Sequence, residues 1–417
     1  MSTHSPTKAV TETDDLEQGS LGKESPNPIL HRERHGTLFT TCAHIITAMI
    51  GAGVLGLPNA VSWLGWIAGL ALISIFYATT ILSSNLLAAT VESQGVKHMT
   101  YRGLVLHILG PRASKVLWGF QCTLLFLAGI AYTIAAGEAG RALLVAVGHY
   151  GVDQSVWPII VTFGGMQIVL SQFPNLDATW ISSAVGAATS IGYSIIALGL
   201  CAAKASNHLG TIQGNTEVNS VNKLFNVLNA LGGVAFAYNF APVLVEIQVR
   251  RRGGYLAFGN GVAGSILSQP DVGPVWVIVL ANALVFIHML SAVQLFTQPL
   301  FAAIEHGVAR CWPASPIATS PRITKLVWRS LYIAFITFIS ALIPFFSQII
   351  GLVGAVIYWP TAILFPVFVW LAVFPPRLSV HIGLQTLNAA MLIVALLAIV
   401  GSLRSIINNA DTYGVFQ

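Results

Sequence analysis

The stretch Gly51-Ala52-Gly53-Val54-Leu55-Gly56-Leu57-Pro58 decides how this chain is read. It lies inside a window from Thr37 to Val91, 55 residues without one Asp, Glu, Lys or Arg. About 20 apolar residues make one membrane crossing, so the window reads as two crossings with a turn between them. The glycines and the proline fall within the first crossing. They weaken its helix at a depth where lipid offers freed backbone groups no partner. Irregular backbone is stable there only when packed in protein or lining a cavity, and discontinuous helices of this kind carry the binding site of many secondary transporters. Small residues four apart would also serve close helix packing. Gly51 and Gly53 are two apart and face different ways, so packing accounts for one of them at best. A true break exposes the amino-terminal amides of the outer half-helix, which suit a substrate carboxylate.

Composition agrees with a membrane chain. Hydrophobic residues make up 55% of the 417 and charged residues 8%, against about 25% charged in soluble domains. The net charge of +5 is spread over short loops and forms no patch for nucleic acid. Residues 1–36, rich in Ser, Thr, Pro and Glu, read as a disordered cytosolic tail without the apolar run of a cleaved signal peptide. Residues 37–417 read as one transmembrane transporter domain. Cys42, Cys122, Cys201 and Cys311 have no metal or redox spacing, so no metal site and no disulfide is expected. No paired buried Asp, His-Glu-x-x-His, nucleophile elbow or phosphate loop occurs, which argues against an enzyme.

Charge-free windows continue at 116–137, 154–176, 178–203, 224–245, 272–304, 330–376 and 378–403. The window 330–376 is long enough for two crossings, as is 37–91, which makes ten spans in an all-α polytopic protein. Basic clusters at Arg32–Arg34, Lys97–Lys115 and Arg250–Arg252 fall on one side, which the positive-inside rule makes cytosolic, with the N-terminus inside.

A second candidate break is Leu231-Gly232-Gly233-Val234-Ala235-Phe236-Ala237-Tyr238 in the sixth span, with Pro242 beyond it. Spans one and six correspond if the fold is two five-helix halves, and paired interruptions point to the binding site. Ordinary packing glycines are the plainer account of this second cluster. His44 and His288 lie within spans. Each reads either as a neutral, hydrogen-bonded core histidine or as a proton relay. Glu138 and Arg141 read as an interfacial pair, and Glu246 as an interfacial ion pair or a cytosolic gate.

Several stretches carry a resemblance. Ala43-His44-Ile45-Ile46-Thr47-Ala48-Met49-Ile50-Gly51-Ala52-Gly53-Val54-Leu55 and Leu64-Gly65-Trp66-Ile67-Ala68-Gly69 are two of them. Gly129-Ile130-Ala131-Tyr132-Thr133-Ile134-Ala135 and Gln167 through Pro174 follow. So do Ala235 through Gln248, Ala281-Asn282 to His288, Gln298-Pro299, and Pro344-Phe345-Phe346 to Trp359-Pro360. In collinear order from about Gly36 to the C-terminus, the chain resembles the plant-type amino acid permeases of the amino acid/auxin permease family, and the auxin-importer branch less so around His44. The resemblance implies an inverted five-helix-repeat transporter fold with discontinuous helices 1 and 6 and an eleventh helix. It implies proton-coupled symport of neutral and acidic amino acids at the plasma membrane by alternating access. The proton would be the coupling ion, with no other cofactor and no obligate protein partner beyond the amino acid and the membrane lipid. Carried over by position, Ile50, Gly51, Ala52 and Gly53 would hold the substrate carboxylate and amine through their backbone. Tyr132 would lie beside the site, and Phe236 would close over it with Tyr238 nearby. His44 and His288 match histidines of the family pattern.

One departure stands out. Between Gln248 and Gly254 the family has a cytosolic loop and nearly a whole helix, where this chain has only Val249-Arg250-Arg251-Arg252-Gly253. Residues 253–270 hold five glycines in 18 positions, a poor helix for crossing about 30 Å of hydrocarbon. The seventh span therefore reads as missing. Ten spans would put Arg310, Arg322, Lys325, Arg329 and Arg377 outside, against the charge bias. The alternatives to transport are accordingly a transport-incompetent variant and an amino acid-sensing receptor on a transporter scaffold.

Overall fold

The computed structural model describes residues 51–93, 96–98, 100–151, 154–172, 179–204, 214–215, 219–239, 274–311 and 321–410. The N-terminal tail, Ile50, His44, Glu246 and the Gln248–Gly254 junction lie outside them.

Each apolar window carries helix. In chain order these are α1 (Ala52–Thr90), α2 (Tyr101–Ala146), α3 (Trp157–Ser171), α4 (Thr179–Lys204) and α5 (Ser220–Ala237). After the gap come α6 (Val275–Cys311), α7 (Pro321–Leu342) and α8 (Phe346–Tyr358). A π-helical turn (Trp359–Leu364) leads into α9 (Phe365–Val373), and α10 is Leu378–Ala410. A two-stranded hairpin, β1 (Glu92–Ser93) with β2 (Val96–Lys97), links α1 to α2. Among the described residues six helices are long and apolar enough to cross a membrane, and Trp157–Ser171 and Ala184–Leu200 are shorter apolar ones.

Two glycines bend the longest helices. Gly65 (φ 76°, ψ 175°) divides α1 into two arms, and Gly110 (φ 85°, ψ 178°) divides α2 just before Pro111. A side chain at positive φ is strained, and the residue before proline is driven out of the helical region, so both sites turn the chain where the sequence permits it. The first arm of α2, Tyr101–Leu109, starts on a capped turn in which Thr100 Oγ1 accepts from the Gly103 amide at 3.0 Å.

Contacts fix which helix ends lie together. Gly137 packs on Ile160, and Gly140 on Ile159 and Phe286, so the ends of α2, α3 and α6 near Gly148, Trp157 and Val275 share one end of the bundle. His288 meets Ser190 and Gly186, and Gly192 meets Leu284, so α6 runs antiparallel to α4. At the opposite end, with the hairpin, Arg329 joins Glu305 of α6 to the Ser171 carbonyl of α3.

Where helices touch, small residues let them approach. Gly232 of α5 lies against Gly351 of α8, and Gly354 of α8 against the Gly232 carbonyl. That is how apolar helices associate without a hydrophobic force between them. Leu331 (63%), Phe335 (54%) and Phe338 (56%) form an exposed apolar stripe along α7, as suits a lipid-facing side.

Candidate functional site

α1 begins inside the apolar window, at Ala52, with extended Gly51 (φ −115°, ψ −151°) as its cap, a residue with no side chain to bond its first amides. Gly53 and Gly56 are inside this helix, packed on Ala237 and on Ile350, and Pro58 is inside it too. Helix thus runs on from Ala52 through Pro58, with extended Gly51 before it. The downstream glycines serve packing and the proline does not break the helix, contrary to the sequence expectation. Pro58 has no amide for the Val54 carbonyl, yet the helix runs on through it.

The second interruption also moves. α5 is regular through Gly232 and Gly233 and ends at Ala237, where Tyr238 caps it by donating its amide toward Val234 and Phe236. The glycines sit on the α8 contact, so their close approach to Gly351 and Gly354 explains them.

The start of α1 and the end of α5 meet. A Cβ on Gly53 would stand 2.7 Å from Ala237 Cα and 3.3 Å from Phe236 Cδ1. The amide end of α1 therefore abuts the carbonyl end of α5, which juxtaposes a partial positive and a partial negative charge. Buried Gly51 and Gly53 and half-buried Phe236 and Tyr238 are brought together here. For Ala52 only the backbone is described, and it opens the helix.

Buried Tyr132 belongs to the core cluster that holds Leu55 of α1, and Phe236 packs against that cluster. Its ring lies 5.1 Å from that of Phe296. Behind it, Tyr193 of α4 interacts with both Tyr132 and Ser190. The Tyr193 ring also meets that of His288 edge-on at 5.7 Å.

His288 is fully buried, with Nδ1 3.0 Å from the Gly186 carbonyl and 2.8 Å from Ser190 Oγ. A carbonyl only accepts, so Nδ1 carries the proton and Nε2 keeps a lone pair, buried and without a partner among the described residues. Elsewhere Arg141 of α2 donates to the Gln154 carbonyl at 3.4 Å and acts electrostatically on Glu138.

Sequence reasoning missed several polar side chains at and near these interruptions. Thr80 Oγ1 donates to the Tyr238 carbonyl at 3.3 Å, and Thr361 Oγ1 of the π turn to Asn239 Oδ1 at 3.0 Å. Gln167 of α3 and Gln294 of α6 bond each other, with Gln298 donating to Gln294 at 3.1 Å. Their signal was polarity inside charge-free helices, where an unpaired amide or hydroxyl is costly and so implies a partner.

The sequence model of the family described as "Transmembrane amino acid transporter protein" matches residues 34–250 and 252–408. The chain is 32% identical over 470 residues to amino acid permease 8 of Arabidopsis thaliana, covering 96% of this chain and 98% of that one. It is 32% identical over 453 residues to amino acid permease 1 of the same plant, covering 92% of each. It is 27% identical over 421 residues to lysine histidine transporter-like 6, covering 89% of this chain and 91% of that one.

Proposed function

Because this chain belongs to the transmembrane amino acid transporter family, we propose that it imports neutral and acidic amino acids across the plasma membrane as a proton-coupled symporter. The observation that carries this reading is the uncapped amide end of α1 set against the carbonyl end of α5 at Gly53 and Ala237. A zwitterion has a carboxylate for the first and an ammonium for the second. Tyr132 and Phe236 flank that gap, and Tyr193 leads from Tyr132 to His288, whose bare Nε2 is a base at the end of the path. His44 stands in the stretch before Gly51 as the other proton-coupling candidate. The matched interruptions at Gly51 and Tyr238 support two inverted five-helix repeats.

The helix ends also support eleven crossings in place of ten. α5 starts at the end of the bundle that carries Gly65, since Asn215 donates to the Ser62 carbonyl at 2.8 Å. It heads away from that end, yet α6 starts there again at Val275. With Arg250–Arg252 in the cytosol, the chain has to return to that end before Val275, in a stretch outside the described residues. Lys325 and Arg329 then join the cytosolic side, together with Arg310, Arg322 and Arg377. The N-terminus is inside and the C-terminus outside, so a tag at Gln417 is reached by antibody on intact cells while an N-terminal tag is not. Protection of the Gln417 tag defeats this topology.

A second reading has its own observation. The family match is broken at Arg251, and the alignment to amino acid permease 8 is longer than the 417-residue chain. A shortened seventh span would leave a bundle that binds substrate but does not cycle, a transport-incompetent variant or an amino acid-sensing receptor. Uptake of radiolabelled amino acids by transport-deficient yeast separates the two. Uptake abolished by a protonophore is the expected result. Uptake indifferent to the protonophore removes the proton, and binding without uptake assigns the chain to the second reading.

A further inference from the structure

Three hydroxyls are buried where α1, α8 and the end of α5 converge. Thr79 and Thr80 are neighbours in α1, and Tyr358 is the last residue of α8. The Tyr358 hydroxyl is 2.9 Å from Thr79 Oγ1 and 2.8 Å from Thr80 Oγ1. At one end of this chain Thr80 Oγ1 is 3.3 Å from the Tyr238 carbonyl; at the other, Thr79 Oγ1 is 2.9 Å from the Phe76 carbonyl. All three side chains are buried, Thr80 completely.

Each hydroxyl has one proton to give and can accept in return. Two head-to-tail arrangements keep both hydroxyl–hydroxyl contacts as hydrogen bonds, and each leaves one of the two end carbonyls without its hydroxyl donor. In the first, Thr79 donates to Tyr358, Tyr358 to Thr80, and Thr80 to the Tyr238 carbonyl. In the second, Thr80 donates to Tyr358, Tyr358 to Thr79, and Thr79 to the Phe76 carbonyl. No heavy atom moves between them. They differ at the substrate end in one respect, whether the Tyr238 carbonyl is capped.

We propose that Thr79, Tyr358 and Thr80 form a reversible hydroxyl chain that caps the Tyr238 carbonyl in the empty transporter and releases it to the substrate ammonium, which makes the three positioning residues for amino acid binding. This rests on the reading of the α1–α5 gap as the amino acid site. A carbonyl withdrawn from water without a donor is unfavourable, so the part-buried Tyr238 carbonyl favours the cap in the empty site. An ammonium needs carbonyls, so the loaded site needs the cap withdrawn. Tyr358 is what allows both, because it offers the Thr80 proton a second acceptor. The π turn that begins at the next residue places Thr361 against Asn239, so a second brace holds the chain one residue beyond the carbonyl in question.

The test is uptake kinetics in transport-deficient yeast, with surface protein measured for each variant. Tyr358→Phe leaves the Thr80 proton fixed on the Tyr238 carbonyl. KM is expected to rise roughly tenfold, as one competing hydrogen bond to a charged ligand would give, with the maximal rate within about twofold of wild type. Thr80→Val removes the competitor and does not raise KM. The double variant keeps the KM of Thr80→Val, because Tyr358 then has nothing to act through. Thr80→Ser restores wild-type behaviour. If Tyr358→Phe is absent from the surface, Thr79→Val replaces it, with a smaller rise of the same sign because Tyr358 retains the Phe76 carbonyl at 3.4 Å. An unchanged KM in these variants, or a double variant with the raised KM of Tyr358→Phe, overturns the hydroxyl chain and leaves the site reading intact. A wild type with neither uptake of, nor thermal stabilisation by, any of the common amino acids defeats the site reading and the chain together.

Discussion

The Arg329 guanidinium donates to the Ser171 carbonyl at 3.1 Å, and so ties the third turn of α7 to the last residue of α3. The same group engages Glu305 of α6 through Nε at 2.9 Å and Nη2 at 3.4 Å. Its face covers the Phe301 ring at 5.3 Å. Only a planar fork with several donors can make all of these contacts at once. The side chains of Arg329 and Glu305 are 9% and 12% exposed, so removing one strands the other. Arg329→Ala is expected to destabilise the chain by about 3–5 kcal/mol, and Arg329→Lys to recover only part of it. Lys325, 44% exposed and 3.3 Å from Glu305, is expected to contribute at most about 1 kcal/mol. Thermal unfolding of the detergent-purified variants checks the ordering, and equal losses from Lys325→Ala and Arg329→Ala contradict it.

Gly53 tests whether the two interruptions must touch. Gly53→Ala puts its Cβ 2.7 Å from the Ala237 Cα, an atom of the backbone that cannot swing aside. Uptake is expected to fall more than about tenfold, a loss that needs only a small misplacement of binding groups. Gly165→Ala, with open space at the same position, serves as the control and keeps full uptake. Gly51 has an ordinary extended φ, so any effect of Gly51→Val on uptake comes from the bulk of its side chain at the head of α1.

His98, just after the hairpin, reports on pH. It is 7% exposed, its Nε2 has no partner among the described residues, and the His107 ring lies 4.8 Å away. Burial and the neighbouring His107 hold its imidazole below the ordinary value of 6.5. The folded chain thus binds this proton less readily than the unfolded one. The stabilisation is complete above 6.5 and is lost as pH falls through the lowered folded value. The melting temperature is expected to drop on acidification from pH 7.5 to 5, and His98→Gln to flatten that slope. An identical slope in the variant assigns the pH dependence elsewhere.

His288→Gln is expected to keep amino acid binding, since an amide can still donate to the Gly186 carbonyl, while the dependence of uptake on external pH changes. Ser190→Ala removes a partner of Nδ1 without touching Nε2 and is expected to shift the profile less. A pH profile unaltered by His288→Gln returns the residue to a purely structural role.

The windows 116–137 and 378–403 were legible as α2 and α10 because apolar runs of that length have one stable form in lipid. The helix start at Ala52, just after Gly51, was legible from glycines lying inside a run otherwise fit for helix. Tyr238 was not. Gly232 and Gly233 drew attention, but their meaning depends on Gly351 and Gly354, more than a hundred residues on. Arg329 read as a loop cation because nothing near it in sequence announces Glu305 or the Ser171 carbonyl. Thr79, Thr80 and Tyr358 carried no periodic or spacing signal at all. Their significance comes from one hydroxyl set between two others by the packing of helices far apart in the chain.

The π turn at Trp359–Leu364 changes what the rod from Phe346 to Val373 can address. One extra residue wound into a helix advances everything beyond it by roughly 100° around the axis. α8 faces α5 and α10, whereas α9 faces α1 and α2. A single continuous element thereby presents two azimuths, one to each set of neighbours, with Trp359 bonded to Asn388 of α10 and the Thr361 carbonyl to the Tyr101 hydroxyl at its changeover. Deleting one residue there would restore a uniform helix at the expense of that phase change, turning α9 away from the arm that Tyr101 anchors.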